Sequence, residues 1–333
     1  MTKALKKMIP GIVCVGIIFG MFLLLVILYF ADDIFGEINI YKMKSVTQEG
    51  KFLFSAVENN KGKLYICDLA TDTYELKYSS ENYSIKYFCI EGDLIYFLGE
   101  SEGKTDIVKL DDEKEETLAA LEQNAYGIGK IGEKLFFVMG PNEEEIYIYY
   151  FDLKTFEVIK YSEKSFIFKG IYNPVFCPDG DIFIFSNEKL NYVNIIYLIR
   201  GNDIINLGVC HVVQKYNGNI FGSFYEKSKS YNGINDFCID EKTGYYDLNT
   251  GKTQNIKKYS NFSLGSYLDI SKDNKYGLAF GVHHNKRYFF RDPAIDYVYL
   301  LTVYNMNNGK QAAIKCLTEI SNNIYCWRWL ETA

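Results

Sequence analysis

Proline is scarce in this chain, at 5 residues, and histidine and tryptophan are scarcer still, at 3 and 2. Hydrophobic content is 48% and charged content 23%, so neither a collagen-like nor a disordered chain fits. With three histidines, catalysis by a histidine base has few candidates. The eight cysteines include no C-x-x-C pair, which excludes a zinc ribbon. There is no G-x-S-x-G, no P-loop and no H-E-x-x-H, so the serine hydrolase elbow, the nucleotide cradle and the zincin site are all missing. An excess of basic residues is missing too: net charge is −6, which excludes a general nucleic-acid binder.

Long apolar runs are missing everywhere except at the start. Met8 to Phe30 carries no charge, and about 20 apolar residues suffice to cross a bilayer. Lys3, Lys6 and Lys7 precede the run, and Asp32, Asp33 and Glu37 follow it. The positive-inside bias then predicts a cytoplasmic N-terminus (1–7), a transmembrane helix (8–30), a juxtamembrane linker (31–49) and an extracytoplasmic domain (50–333). The expectation is a single-pass protein of the cell membrane. A cleaved signal peptide is disfavoured because Leu28-Tyr29-Phe30-Ala31 lacks a small-residue cleavage pattern. Gly16 and Gly20 form a G-x-x-x-G pair that permits a helix-mediated dimer, although glycine is common in membrane helices.

Seven cysteines follow the anchor: Cys67, Cys89, Cys177, Cys210, Cys238, Cys316 and Cys326. An odd number leaves at least one unpaired within the chain. Several sit in apolar strand-like runs, where cysteine behaves as a small hydrophobe. The spacing does not give a disulfide pattern.

After residue 50 almost nothing has helical period. Short runs rich in Tyr, Phe, Ile and Val alternate with Gly, Asn, Asp and Lys turns, the pattern of an all-β chain. One unit recurs: a strand ending in Asp-Leu or an equivalent, a polar turn, and another strand. Its anchors are Asp68, Asp111, Asp152, Arg200, Asp247 and Asn305. A second unit, strand–turn–strand, lies upstream of each. Four strands repeated at roughly 40–50 residues predict the blades of a propeller. The expected fold is therefore a six-bladed β-propeller of four-stranded antiparallel blades behind one N-terminal transmembrane helix. The ring is expected to close through Ile324 to Leu330, with Ile38 to Lys44 as the competing segment.

Cys177-Pro178-Asp179-Gly180 and Ser271-Lys272-Asp273-Asn274, with the hairpin residues Asp68, Asp152 and Asp247, resemble the degenerate motifs of TolB-like and WD-repeat-like propellers. Those blades carry a W-S-P-D-G stretch and an Asp-containing hairpin. Here Cys replaces Ser once and Lys replaces Pro once. The resemblance covers about residues 50–333 and implies the fold. It supplies no catalytic residues.

Two segments lengthen the last blades: 226–242 and 282–296. The second carries His283, His284, Arg287, Arg291 and Asp292. Long loops on rigid scaffolds often carry function, so these five are candidate ligand or partner contacts. Metal binding is disfavoured, because adjacent histidines in a strand point to opposite faces. Trp327-Arg328-Trp329 is the other candidate, since Trp and Arg dominate binding hot spots. Alternation puts both Trp on one face, and inter-blade packing competes with contact as their role. The Tyr and Phe excess is discounted as ligand evidence, because blades pack through aromatics. No cofactor or metal is expected. The sequence points to a non-catalytic binding or scaffold module for a protein, peptide or glycan at the cell surface. The alternative is a propeller lyase or hydrolase working at the central channel.

Overall fold

The computed structural model describes residues 19–24, 26, 49–59, 61–142, 145–167, 174–186, 195–226, 240–256, 264–284, 297–318, 320 and 323–330. The chain forms two compact units: Met1–Lys44 with Val282–Val298, and Ser45–Gly281 with Tyr299–Ala333. In the first, Phe19–Leu24 and Val26 are helical, and Phe19, Met21, Phe22, Leu23 and Leu24 are exposed. Among the described residues no helix is long and apolar enough to cross a membrane. Most of the 8–30 run, including Gly16, lies outside the described residues.

The second unit is built of antiparallel sheets. β1 (Lys51–Glu58), β2 (Lys61–Asp68) and β3 (Thr73–Ser79) cross the first in order. β4 (Ser84–Glu91), β5 (Leu94–Ser101), β6 (Lys104–Asp111) and β7 (Lys114–Leu121) form the second. β8 (Ala125–Ile131), β9 (Lys134–Asn142), β10 (Glu145–Asp152) and β11 (Glu157–Lys160) form the third. A seven-stranded sheet follows: β12 (Val175–Phe176), β13 (Ile182–Ser186), β14 (Ile195–Arg200), β15 (Asp203–Tyr216), β16 (Asn219–Glu226), β17 (Asp240–Asp247) and β18 (Lys252–Asn255). β19 (Leu264–Ile270), β20 (Tyr276–His284), β21 (Tyr297–Asn305) and β22 (Gln311–Ala313) make the next. The last strand, β23 (Ile324–Trp329), returns to the first sheet and pairs with β1, Trp327 opposite Phe54 and Trp329 opposite Phe52. The C-terminal strand thus takes the closing position, and 38–44 lie outside the described residues.

The repeat pattern predicts six blades, whereas among the described residues four separate four-stranded sheets are found beside the seven-stranded one. The difference lies in β15, which runs for 14 residues. Its first half pairs with β14, up to Val209 opposite Ile195. Its second half pairs with β16, from Cys210 opposite Phe224 onward. One strand therefore carries the ladder across the expected blade boundary. Gly208, at φ +85°, sits just before the change of partner and lets the chain redirect without breaking the strand.

All the repeated hairpins are present. Asp68, Asp111, Asp152, Arg200, Asp247 and Asn305 each end the strand before a hairpin turn, and for all but Arg200 the strand that follows is the outermost of its sheet. Asp68, Asp152, Asp247 and Asn305 cap their own turns. Asp68 accepts the Ala70 N–H, Asp152 the Lys154 N–H and Asp247 the Asn249 N–H, each at 2.9 Å. The repeated Asp is thus a turn former rather than a reactive group.

Strands with both faces covered read as continuous apolar runs. Phe52 and Phe54 of β1 enter one core cluster while Leu53 enters another. The outermost β3 is exposed over most of its length, which is why it reads as TYELKYS. Phe52, Phe54, Phe88, Phe97, Phe137, Phe151, Phe166, Phe183 and Phe221 are fully buried between strands. Each contributes about 1.5–3 kcal/mol of burial, so the aromatic excess belongs to packing.

One edge strand of each sheet (β23, β4, β8, β12 and β19) and the long β15 lie side by side. β4 packs against β23 and β8, β8 against β12, and β15 against β19, which meets β23. Between β12 and β15, the Cys177 thiol contacts Gln214 Oε1 at 3.7 Å. Small residues permit the approach: a Cβ on Gly129 of β8 would sit 2.5 Å from Phe176 Cβ of β12.

Candidate binding site at the mouth of the ring

Residues from all these strands converge on a cavity of about 420 Å³. Lys130 comes from β8, Phe176 from β12, Lys215 from β15, Asp269 from β19, and Arg328 and Trp329 from β23. Lys272 and Pro178 reach it from the turns after β19 and β12. Four cations and one carboxylate, Asp269, therefore belong to the lining.

The cations are set in place by the fold. Lys130 pairs with Glu91. Lys215 Nζ lies 2.6 Å from Asp181 Oδ2 and 3.3 Å from Asp179 Oδ2. Asp181 is only 4% exposed and also receives a fork from Arg200, Nε at 2.8 Å and Nη2 at 2.7 Å. The Arg200 guanidinium holds the Asp181 carboxyl below the usual range; burial opposes this, and Lys215 reinforces it. Burial works to depress the Lys215 ammonium, but the Asp181 carboxylate overrides it and the net shift is upward. Asp181 is thus held ionised, as an anchor for Lys215 rather than a proton donor.

Trp329 is fastened to the neighbouring sheet. Its backbone N–H donates to Asp269 Oδ2 at 2.8 Å, and its Nε1 to the Asp269 carbonyl at 3.1 Å. Phe52 and Tyr276 flank the ring at 6.1 and 6.2 Å. Trp327 is buried, donates Nε1 to the Leu278 carbonyl at 3.0 Å and meets Phe280 edge-on at 4.9 Å. Arg328 Nη1 bonds the Trp327 carbonyl at 2.8 Å, and Arg328 still lines the cavity.

Beside the mouth lies a cleft of about 1220 Å³, where Glu91, Asp93, Asp111, Asp112 and Glu133 outnumber Lys77 and Lys130. Lys130 and Trp329 stand on the border of both spaces. Among the described residues no group of three or more His, Cys, Asp or Glu is placed to hold a metal ion.

The sequence candidates therefore separate. Trp329 and Arg328 line the mouth, whereas Trp327 is buried and packs against Phe280. His283 and His284 end β20, and nothing is described of their side chains. Arg287, Arg291 and Asp292 lie outside the described residues. Sequence reasoning missed Lys130, Lys215, Lys272 and Asp181. One signal was legible: Arg200 occupies a hairpin position that is Asp or Asn in every other copy, and its partner is Asp181, directly before β13.

No family model and no curated protein sequence matches the chain. Solved structures do. TolB from Acinetobacter baumannii superposes with a TM-score of 0.51 at 15% identity, covering 84% of this chain and 66% of that one. A chain of the nidogen–laminin complex gives 0.50 at 10% identity, covering 84% and 97%. A puromycin-hydrolysing peptidase of Mycobacterium tuberculosis gives 0.50 at 12% identity, covering 80% and 44%. The chain thus spans less than two thirds of the TolB chain and less than half of the peptidase. Likeness at such identity speaks for the fold alone, and the fold is a TolB-like β-propeller of antiparallel sheets.

Proposed function

We propose that this chain is a membrane-anchored, extracytoplasmic six-bladed propeller that acts as a binding module. Its partner is a protein, peptide or glycan that presents carboxylates to the mouth of the ring. The observation that carries the reading is the convergence of Lys130, Lys215, Lys272 and Arg328 on one cavity whose lining holds a single carboxylate, Asp269, with Trp329 beside them; Glu91 positions Lys130, and Asp179 and Asp181 position Lys215. Pre-positioned cations at a concave mouth favour an anionic group and lose less entropy on binding it. Two carboxylates at the mouth are engaged: Asp181 by Arg200 and Lys215, and Asp269 by the Trp329 N–H.

Six blades follow if the seven-stranded sheet is divided at Val209–Cys210, where β15 changes partner. The membrane anchor rests on the uncharged run Met8 to Phe30 and its flanking charges.

The chain has 2 tryptophans, and only Trp329 lines the mouth. Titration of its fluorescence with an acidic peptide, an oligouronate and a neutral oligosaccharide tests the proposal. We expect a saturable, salt-sensitive response to an anionic probe, weakened by Lys272→Ala. Equal responses to all probes, or none, would overturn it.

A further inference from the structure

Cys67 and Cys316 are 249 positions apart in the chain, yet their sulfurs lie 3.8 Å from each other. Cys67 belongs to β2 and is fully buried. Cys316 is half-buried, in a single 3-10 turn over Lys315–Leu317 between β22 and β23. The encounter is built from both sides. The Cys316 N–H donates to Asp72 Oδ1, in the turn between β2 and β3, at 3.2 Å. The neighbouring Leu317 is fully buried in the core cluster that contains Cys67. The short turn is thereby pinned onto the first sheet just before β23 enters it.

We propose that Cys67 and Cys316 form a disulfide that latches the closing strand to the first sheet. Both are thiols in the structure. A bond needs the sulfurs at about 2.05 Å, within reach of side-chain rotation from van der Waals contact. The oxidant is a disulfide, either glutathione disulfide or the active-site disulfide of an oxidase. The more accessible Cys316, as thiolate, attacks one of its sulfurs; that S–S bond breaks and one thiolate leaves. Cys67 then gives up its proton and attacks Cys316 Sγ in the mixed disulfide, and the second thiolate leaves. Two protein thiols lose two electrons and two protons, and the oxidant becomes two thiols. Contact with Cys316, together with burial, pushes the Cys67 thiol up, which assigns it the second step. Cys89, Cys177, Cys210 and Cys326 are buried and stay out of reach of an external oxidant.

In the chain-entropy account a cross-link stabilises more as the loop it closes lengthens. This loop spans almost the whole propeller, so the latch restrains the element on which ring closure depends.

The test uses the full-length chain incubated with excess glutathione disulfide, alkylated, digested and read by mass spectrometry. We expect one cross-linked pair joining the Cys67 and Cys316 peptides, 2 Da lighter than the two free thiol peptides. Reductant should lower the melting temperature of the oxidised protein by about 10 °C, and Cys316→Ser should abolish that dependence. Quantitative alkylation of both residues after oxidation would overturn the proposal, as would an unchanged reductant effect in Cys316→Ser. The thiol state in the living cell tests a different point. A pair that closes in the tube but is reduced in the cell keeps the latch and overturns the extracytoplasmic placement.

Discussion

The Asp181 cluster gives the sharpest test of what holds the mouth together. Asp181→Asn keeps the shape and removes the charge. It leaves Lys215 with Asp179 alone, at 3.3 Å, and leaves Arg200 without its fork. Removing one partner of a buried pair costs about 3–5 kcal/mol. The lower end applies here, because the Arg200 side chain is 47% exposed and regains water. A loss of about 3 kcal/mol corresponds to about 6–10 °C in melting temperature for a domain of this size. The control is Asp179→Asn: its side chain is 54% exposed, and such pairs contribute at most about 1 kcal/mol. Thermal and urea unfolding at neutral pH, followed by circular dichroism, measure both. The folded Asp181 carboxyl is depressed below its unfolded value. Its contribution is therefore fully present above the unfolded value, about 3.9, and is lost as pH falls through the folded one. The gap between wild type and Asp181→Asn should shrink accordingly below about pH 4. A variant within 0.5 kcal/mol of wild type at pH 7 would refute the reasoning, as would Asp179→Asn costing as much.

Two further substitutions separate packing from contact. Trp327→Ala should cost about 3–5 kcal/mol through the cavity it opens, because the side chain fills the seam between β23 and β20 and its Nε1 reaches Leu278; chemical unfolding reads this, and a loss below 1 kcal/mol would return Trp327 to the list of surface contacts. Ser55→Ala should be neutral or stabilise by up to about 1 kcal/mol, since Ser55 is fully buried and its Oγ has no hydrogen-bond partner among the described residues; a clear destabilisation in the same assay would show that the hydroxyl is engaged.

The all-β class, the hairpin repeat and the aromatic core were legible in the amino-acid order, because they are local. A strand buried on both faces must read as an apolar run, and a tight turn must carry Asp, Asn or Gly. Asp68, Asp152 and Asp247 could thus be placed at their turns before any coordinates. The tandem of two hairpin units could not reveal that β15 would run through a blade boundary, because strand continuity is decided by pairing with β14 and β16. The mouth of the ring was illegible for a similar reason. Lys130, Lys215 and Lys272 each lie in a different repeat from Arg328 and Trp329, the mouth residues that the sequence did single out, and all five meet only because β8, β15, β19 and β23 lie around one cavity. Cys67 and Cys316 are the extreme case: nothing in the spacing distinguishes them from the other cysteines. Only β23 returning to β1 brings the two sulfurs within contact. Sequence determined the blades' local grammar, and tertiary structure alone decided the partners, because ring closure joins residues that chain order keeps farthest apart.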